Sequence, residues 1–172
     1  NKIFQKTNLR KSNKIKIGYY SAEFHRHAVL LLMMDIFKNH DKSSFEIFAF
    51  SHGPSTKRGD PWRKLVKPYF NGFYEISEKS TEEVVNLSRK LKIDIAIISN
   101  PTSLHLDSAL KVCKNVKGIF IEKPLSNSLS GTNELIKLLN ARNITSFIGH
   151  NLMFHPIIKK IQEFYNENDI GE

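Results

Sequence analysis

The sequence contains a single cysteine, Cys113, and no long uninterrupted apolar run. One thiol cannot form an intrachain disulfide, and a lone thiol suits a reducing compartment, so we expect a cytoplasmic protein. We expect no membrane span, because no stretch reaches the roughly 18 apolar residues that one needs, and no signal peptide, because the N-terminal stretch lacks an apolar core. Glycine and proline number only 8 and 6 among 172 residues, which excludes collagen-like and low-complexity chains.

The charge is unevenly distributed along the chain. The formal net charge is +9, but the first 16 residues contain six lysine or arginine residues and no acid. We therefore predict a basic, flexible tail over residues 1–13 and one folded domain over residues 14–172. No run combines spaced basic residues with stacking aromatic residues, so we do not expect nucleic-acid binding.

Strand and helix patterns alternate along the domain. Strand patterns lie at residues 14–21, 45–51, 93–99, 118–122 and 144–149. Helical patterns lie between and after these strands, and one of them begins at a capping box formed by Ser80 and Glu83. The apolar sides predicted for four of the helices are Val29, Leu32, Met33 and Ile36; Val84, Leu87 and Leu91; Leu106, Ala109, Leu110 and Cys113; and, after Pro156, Ile157, Ile161, Phe164 and Tyr165, while a further helix is predicted over residues 128–142. Residues 52–74 are predicted to be a long connection with one short helix near residues 62–66.

This order predicts an α/β fold: a Rossmann-like, doubly wound, mostly parallel sheet with helices on both faces, in a single domain. Ligands of such sheets bind at the carboxyl ends of the strands. The turn after the first strand lacks the glycine-rich fingerprint of dinucleotide sites, because Gly18 lies inside the strand and bulky residues follow it. Ordinary NAD binding at this turn is therefore not expected.

The strand ends carry other reactive residues. His25, Arg26 and His27 follow the first strand and are candidates for a general base or an anion site, or are turn residues and helix caps. Residues 122–124 (Glu-Lys-Pro) end a buried strand, where Lys123 is a candidate for proton transfer or a solvated charge. No metal site is expected, since His25 and His27 lack further ligands at a suitable spacing.

Residues 13–97 resemble the catalytic region of O-linked N-acetylglucosamine transferases of the SPINDLY type. The matching text is KIKIGYYSAEFHRHAV, NHDKSSFEIFAFSHGP and KLKIDIAI, and Glu23 stands where the family usually has aspartate. The resemblance implies that His27 is the active-site histidine and that UDP-GlcNAc is the donor. In that family the donor site lies largely in a second Rossmann half, which we do not expect within these 172 residues.

Residues 94–172 resemble the Gfo/Idh/MocA group of oxidoreductases. The motif of residues 122–124, after NPTSLH at residues 100–105, carries this resemblance. It implies Lys123 as a catalytic residue and a cofactor site lined by Asn100, Pro101, His105 and Glu122. The arginine usual in the family's aromatic-Asn-x-Arg-Phe run is replaced by Met153.

The two resemblances meet near residues 94–97, so the domain is expected to have a transferase-like half over residues 14–97 and an oxidoreductase-like half over residues 98–172. The resemblance favours an NAD(P)-dependent oxidoreductase for a sugar or polyol, incomplete as an isolated chain, with a small-molecule sugar or nucleotide as its partner. The alternatives are a glycosyltransferase fragment that uses UDP-GlcNAc and a folded module without activity. Oligomeric state is left open.

Overall fold

A computed structural model describes residues 14–53 and 59–166 of the chain, apart from the side chain of Asn166. The predicted tail over residues 1–13 lies outside the described residues. Six strands form one sheet in the order β3-β2-β1-β4-β5-β6, and every neighbouring pair is parallel. This is the strand order of the Rossmann fold. The predicted doubly wound α/β architecture is therefore confirmed.

The elements follow one another in a nearly regular alternation of strand and helix. The strands are β1 (Ile15–Ser21), β2 (Phe45–Ser51), β3 (Gly72–Glu75), β4 (Ile95–Ser99), β5 (Gly118–Ile121) and β6 (Thr145–Ile148). The α-helices are α1 (Ala28–Lys38), α2 (Pro61–Val66), α3 (Thr81–Leu91), α4 (His105–Val112), α5 (Thr132–Ala141) and α6 (Pro156–Asn166). The register pairs Tyr20 of β1, in the transferase-like half, with Ile98 of β4, in the oxidoreductase-like half. The two halves with different family resemblance therefore share one continuous sheet.

Two apolar clusters hold the helices against the sheet. On one face Ile98 and Ile121 pack with α3, α4 and α5, whose buried residues include Val84, Ala109 and Leu135. The clusters on the two faces cover both sides of the central strands, as expected for buried parallel strands.

On the other face, Tyr19 and Ile47 pack with α1 and α2. The predicted inner side of α1 is wrong, because the helix buries Leu30 and Phe37 and leaves Leu32 78% exposed. Val29 and Ile36 are also exposed, and only Met33 of the predicted set packs against the core. Nearly every α1 residue is apolar, so periodicity alone cannot select the buried side.

The long connection predicted over residues 52–74 contains β3, which the sequence analysis missed. The short helix within it is confirmed as α2, although residues 54–58 lie outside the described part. β3 has four residues, all half-buried, and its pattern is too short to stand out from the glycine and proline around it. The helix predicted to begin at residue 128 begins instead at Thr132.

The last helix is formed as predicted, but its apolar side is not buried. Ile157, Ile161, Phe164 and Tyr165 of α6 are 63%, 48%, 41% and 71% exposed. Hydrophobic periodicity identifies a helix with one apolar side, and burial of that side also needs a surface in contact with it. Among the described residues, no helix is both long and apolar enough to cross a bilayer.

A charged turn precedes β2 and makes part of the stability dependent on pH. The Asp41 carboxylate accepts hydrogen bonds from the side chains of Ser43 and Ser44 and from the Ser43 N–H, which lower the pKa of Asp41 to about 2. Because the folded pKa lies below the ordinary value of 3.8, this contribution is complete above that value and is lost as the pH falls toward 2.

We therefore expect the stability advantage of the wild type over Asp41→Asn to shrink as the pH falls from about 4 to about 2. Urea unfolding of both proteins at several pH values measures the difference. An advantage that stays constant through this window would contradict the assignment.

Candidate functional site

The turn between β1 and α1 is built around a buried aromatic ring rather than around glycines. Phe24 is 2% exposed and makes edge-to-face contacts with Phe70 and Phe73, at centroid distances of 5.6 and 5.3 Å. Phe24 therefore anchors this turn to the apolar cluster on the α1 face of the sheet.

His27 caps the start of α1 beside a carboxylate. Its Nδ1 atom accepts the Val29 N–H at 3.3 Å and lies 3.4 Å from Oε2 of Glu23. A neutral ring with Nδ1 unprotonated bonds the N–H, whereas a protonated ring can donate to the carboxylate instead. The side chain is 45% exposed, so part of the ring is open to solvent.

His25 and Asp60 join the same turn. Nε2 of His25 lies 3.8 Å from Oε2 of Glu23, and its Nδ1 is buried without a hydrogen-bond partner. Burial by itself would raise the pKa of Asp60, but hydrogen bonds from backbone N–H groups, with the nearby His25, hold that pKa below its usual value. Asp60 thus connects α2 to the turn that follows β1. The carboxylates of Glu23 and Asp60 make this turn unfavourable for binding an anion such as a phosphate.

The buried Arg63 forms an ion pair with the half-buried Glu75 where β2 and β3 end. The Arg63 side chain is fully buried, and its Nε donates to Glu75 at 3.1 Å. Nη2 pairs with the same carboxylate and donates to the Ser51 hydroxyl at 2.6 Å. Sequence analysis missed this pair, since β3 itself was not predicted.

His105 connects the ends of β4 and β5. The ring is 1% exposed, with Nε2 2.6 Å from the Asn100 carbonyl oxygen and Nδ1 2.8 Å from the Pro124 carbonyl oxygen. Both oxygens are acceptors only, so a neutral ring bonds one of them and a doubly protonated ring bonds both. His105 therefore positions the loops that carry Asn100 and Lys123, and presents no free ring nitrogen to a ligand.

We expect His105→Ala to lower the free energy of unfolding by about 1–3 kcal/mol, because it leaves buried carbonyl groups unpaired. Denaturant unfolding measures the loss. The matched control is the exposed His155→Ala, which lies outside this contact and should change stability much less. Equal effects of the two substitutions would contradict the connecting role.

The remaining predicted residues surround His105. The Asn100 side chain is buried and donates to Ser108 at 2.7 Å, while its Oδ1 has no partner. Glu122 is half-buried, with Oε2 3.1 Å from the position that a Cβ on Gly149 would occupy. Pro101 is exposed at the start of a short 3-10 turn.

Lys123 is the exposed cation of this group. It lies just after β5, joined to Pro124 by a cis peptide bond, and has no hydrogen-bond or ion-pair partner within residues 14–53 and 59–166. Lys123 and His27 thus both lie at the carboxyl edge of the sheet, at the ends of β5 and β1.

A cavity of about 210 Å³ opens beside these loops. Its walls include the apolar residues Ile76, Val85 and Leu104, and its rim includes His52, which follows β2 directly. Burial lowers the pKa of His52. The sequence analysis did not single out His52, although its place after a predicted strand was the available signal.

Comparison with known proteins matches two overlapping parts of the chain to two different families. Residues 1–100 match the model of glycosyl transferase family 41, and residues 64–150 match the model of the oxidoreductase family with an NAD-binding Rossmann fold. A scyllo-inositol 2-dehydrogenase (NAD(+)) of Bacillus subtilis is 30% identical over 95 residues, which are 55% of this chain and 28% of the dehydrogenase. The transferase SEC of Arabidopsis thaliana, a probable UDP-N-acetylglucosamine–peptide N-acetylglucosaminyltransferase by its name, is 26% identical over 87 residues, 51% of this chain and 9% of its own.

Solved structures agree on the fold. Biliverdin reductase of Synechocystis, solved with biliverdin and NADP+, superposes with a TM-score of 0.64 over 92% of this chain and 44% of its own, at 14% identity. The chain thus spans less than half of the length of each of these relatives. It belongs to two families at once, glycosyl transferase family 41 over residues 1–100 and the NAD-binding Rossmann-fold oxidoreductase family over residues 64–150.

Proposed function

We propose that the chain forms the cofactor-binding half of an NAD(P)-dependent oxidoreductase that acts on a hydroxyl group of a sugar or polyol. The observation that carries the proposal is the placement of Lys123, an exposed and unpaired ammonium within the described residues, at the carboxyl end of a central Rossmann strand. Similarity to an inositol dehydrogenase supports the class of substrate. The single buried thiol of Cys113 fits a cytoplasmic location.

The described residues fit a dinucleotide at its ends better than at its centre. The buried, unpartnered Oδ1 of Asn100 is an acceptor for an amide or hydroxyl donor, and Pro101 and Glu122 follow the neighbouring strands β4 and β5 at the same edge of the sheet. The turn after β1 offers no glycine loop and presents Glu23 beside the start of α1, so it contributes little to binding a pyrophosphate. We therefore expect weaker binding than a glycine-rich turn provides.

Lys123 is the catalytic residue in this proposal. Its neutral amine accepts the hydroxyl proton as the alcohol is oxidised, and the resulting ammonium group returns that proton in the reverse reduction. An oxidised nicotinamide, when bound, would accept the hydride from the same carbon. His105 acts as a positioning residue, because it fixes the backbone on either side of the site.

Titration of the 172-residue chain with NADH and NADPH, followed by cofactor fluorescence, tests the proposal. We expect saturation below about 1 mM, which corresponds to about 4 kcal/mol of binding. Inositol or another polyol should then perturb the bound cofactor signal in the wild type. Absence of saturable binding by either dinucleotide would overturn the proposal.

A second candidate is transfer of N-acetylglucosamine from UDP-GlcNAc, and the contact between His27 and Glu23 favours it. An accessible imidazole beside a carboxylate is a suitable general base for a protein hydroxyl. If the chain binds this donor, UDP at 100 times its dissociation constant should add about 2.7 kcal/mol of stability. An unchanged melting curve in millimolar UDP would remove this candidate.

A further inference from the structure

The cavity beside the end of β2 differs in charge from a site for unphosphorylated adenosine. In Rossmann dinucleotide sites, an acidic residue after the second strand accepts a hydrogen bond from the ribose 2′-hydroxyl, whereas a nearby cation accommodates a 2′-phosphate. Here Ser51 ends β2 and His52 follows it. The Ser51 hydroxyl is already bonded to Arg63 at 2.6 Å. The acidic partner of the ribose is therefore replaced by an imidazole.

Two lysines and one aspartate also line the cavity. Lys79 and Lys111 line the cavity together with the carboxylate of Asp107, and Lys111 pairs with that carboxylate at 2.5 Å. Lys111 also donates to the Thr81 hydroxyl at 3.0 Å, which holds its ammonium group near the start of α3. Because Asp107 is paired with Lys111, Lys79 supplies the surplus positive charge of the lining, and Glu83 at the start of α3 lies close enough to Lys79 to interact with that charge.

The size of the cavity limits what it can hold. Its volume of about 210 Å³ is below the roughly 300–1,000 Å³ of pockets for drug-sized ligands. The apolar side chains of Ile76, Val85 and Leu104 supply walls for a flat heterocycle. A nucleobase with its ribose suits this space, and a whole dinucleotide does not, so any attached phosphate lies at the rim.

We propose that this cavity binds the adenosine end of a dinucleotide and selects the 2′-phosphorylated form, so that the chain prefers NADP(H) to NAD(H). The inference rests on the proposed function above. The imidazole of His52 donates a hydrogen bond toward the ribose or the phosphate, and Lys79 and Lys111 balance the phosphate charge. Burial lowers the pKa of His52 and so favours the neutral ring, which, unlike a carboxylate at this position, carries no negative charge that would repel the phosphate.

Calorimetric titration of the full chain with NADPH, NADH, 2′-AMP and adenosine tests the inference. We expect NADPH to bind at least about tenfold more tightly than NADH, and 2′-AMP at least about tenfold more tightly than adenosine, as one charge-assisted hydrogen bond provides. His52→Asp should reverse the dinucleotide preference by placing a carboxylate after β2. His52→Asn is the neutral control and should retain it, with circular dichroism melts confirming that both variants fold.

The outcomes separate this inference from the function on which it rests. Equal binding of NADH and NADPH would overturn the 2′-phosphate preference and leave the oxidoreductase proposal intact. Binding of 2′-AMP without either dinucleotide would retain the cavity assignment and overturn the oxidoreductase proposal. Binding of none of the four ligands would overturn both.

Discussion

Replacing Lys123 by methionine is expected to lower turnover of a polyol substrate by about 10²–10⁴-fold, the usual contribution of general acid–base catalysis. Methionine keeps much of the side chain's length but can neither donate nor accept the hydroxyl proton. Binding of NADPH should be nearly unchanged, since the cofactor contacts assigned above come from other residues. Steady-state kinetics of polyol oxidation, followed at the absorbance of the reduced nicotinamide, measures this loss of turnover.

One further variant shows whether the proton or the charge of Lys123 matters, and a second variant serves as a control. Lys123→Arg retains a positive charge but cannot serve as a base near neutral pH, so we expect it to lose turnover as methionine does. Lys117→Met changes a lysine just before the same strand, at the opposite edge of the sheet, where it pairs with Asp94 at 2.6 Å. That control should keep its activity. Full turnover by Lys123→Met would rule out a catalytic role for the residue.

The second large effect concerns stability. Glu75→Ala removes the carboxylate that pairs with the fully buried Arg63. An unpaired buried guanidinium is strongly unfavourable, so we expect the free energy of unfolding to fall by about 3–5 kcal/mol. The contact of Lys67 with the same carboxylate, at 3.8 Å, is lost at the same time and adds little because it is exposed.

Urea unfolding of Glu75→Ala beside Glu46→Ala measures the difference. Glu46 pairs with Lys16 at 3.5 Å, and both side chains are about a third exposed. Its removal should cost about 0–1 kcal/mol, as for other surface pairs. If the two substitutions cost the same, Arg63 would have to find another partner or water, and the buried pair would not be the main contact at the ends of β2 and β3.

The sequence was sufficient for the fold wherever patterns were long or strongly apolar. The seven-residue strand β2 was predicted at its observed bounds, and the capping box of Ser80 and Glu83 marked the start of α3. β3 was missed because four half-buried residues contain too little pattern. The buried side of α1 was misassigned because its core contacts depend on Tyr19 and Phe70, which are close only in the folded chain.

The site was predictable only to the level of the sheet edge. The rule that ligands bind at the carboxyl ends of parallel strands selected the regions of His27, Asn100 and Lys123. The partners of those residues could not be derived, because His105 binds carbonyl groups 5 and 19 residues away and Arg63 binds a carboxylate 12 residues away. Such contacts follow from tertiary packing, and their roles in binding and catalysis stay predictions.

Amide chemical-shift mapping with NADPH, on isotope-labelled protein, is the most direct test of whether segments from two families build one binding edge. We predict saturable shifts at His52, Asn100 and Lys123 together, with Lys117 and Thr145 at the opposite edge unaffected. Shifts confined to residues after position 100, or centred on the opposite edge, would show that the transferase-like half takes no part in the site.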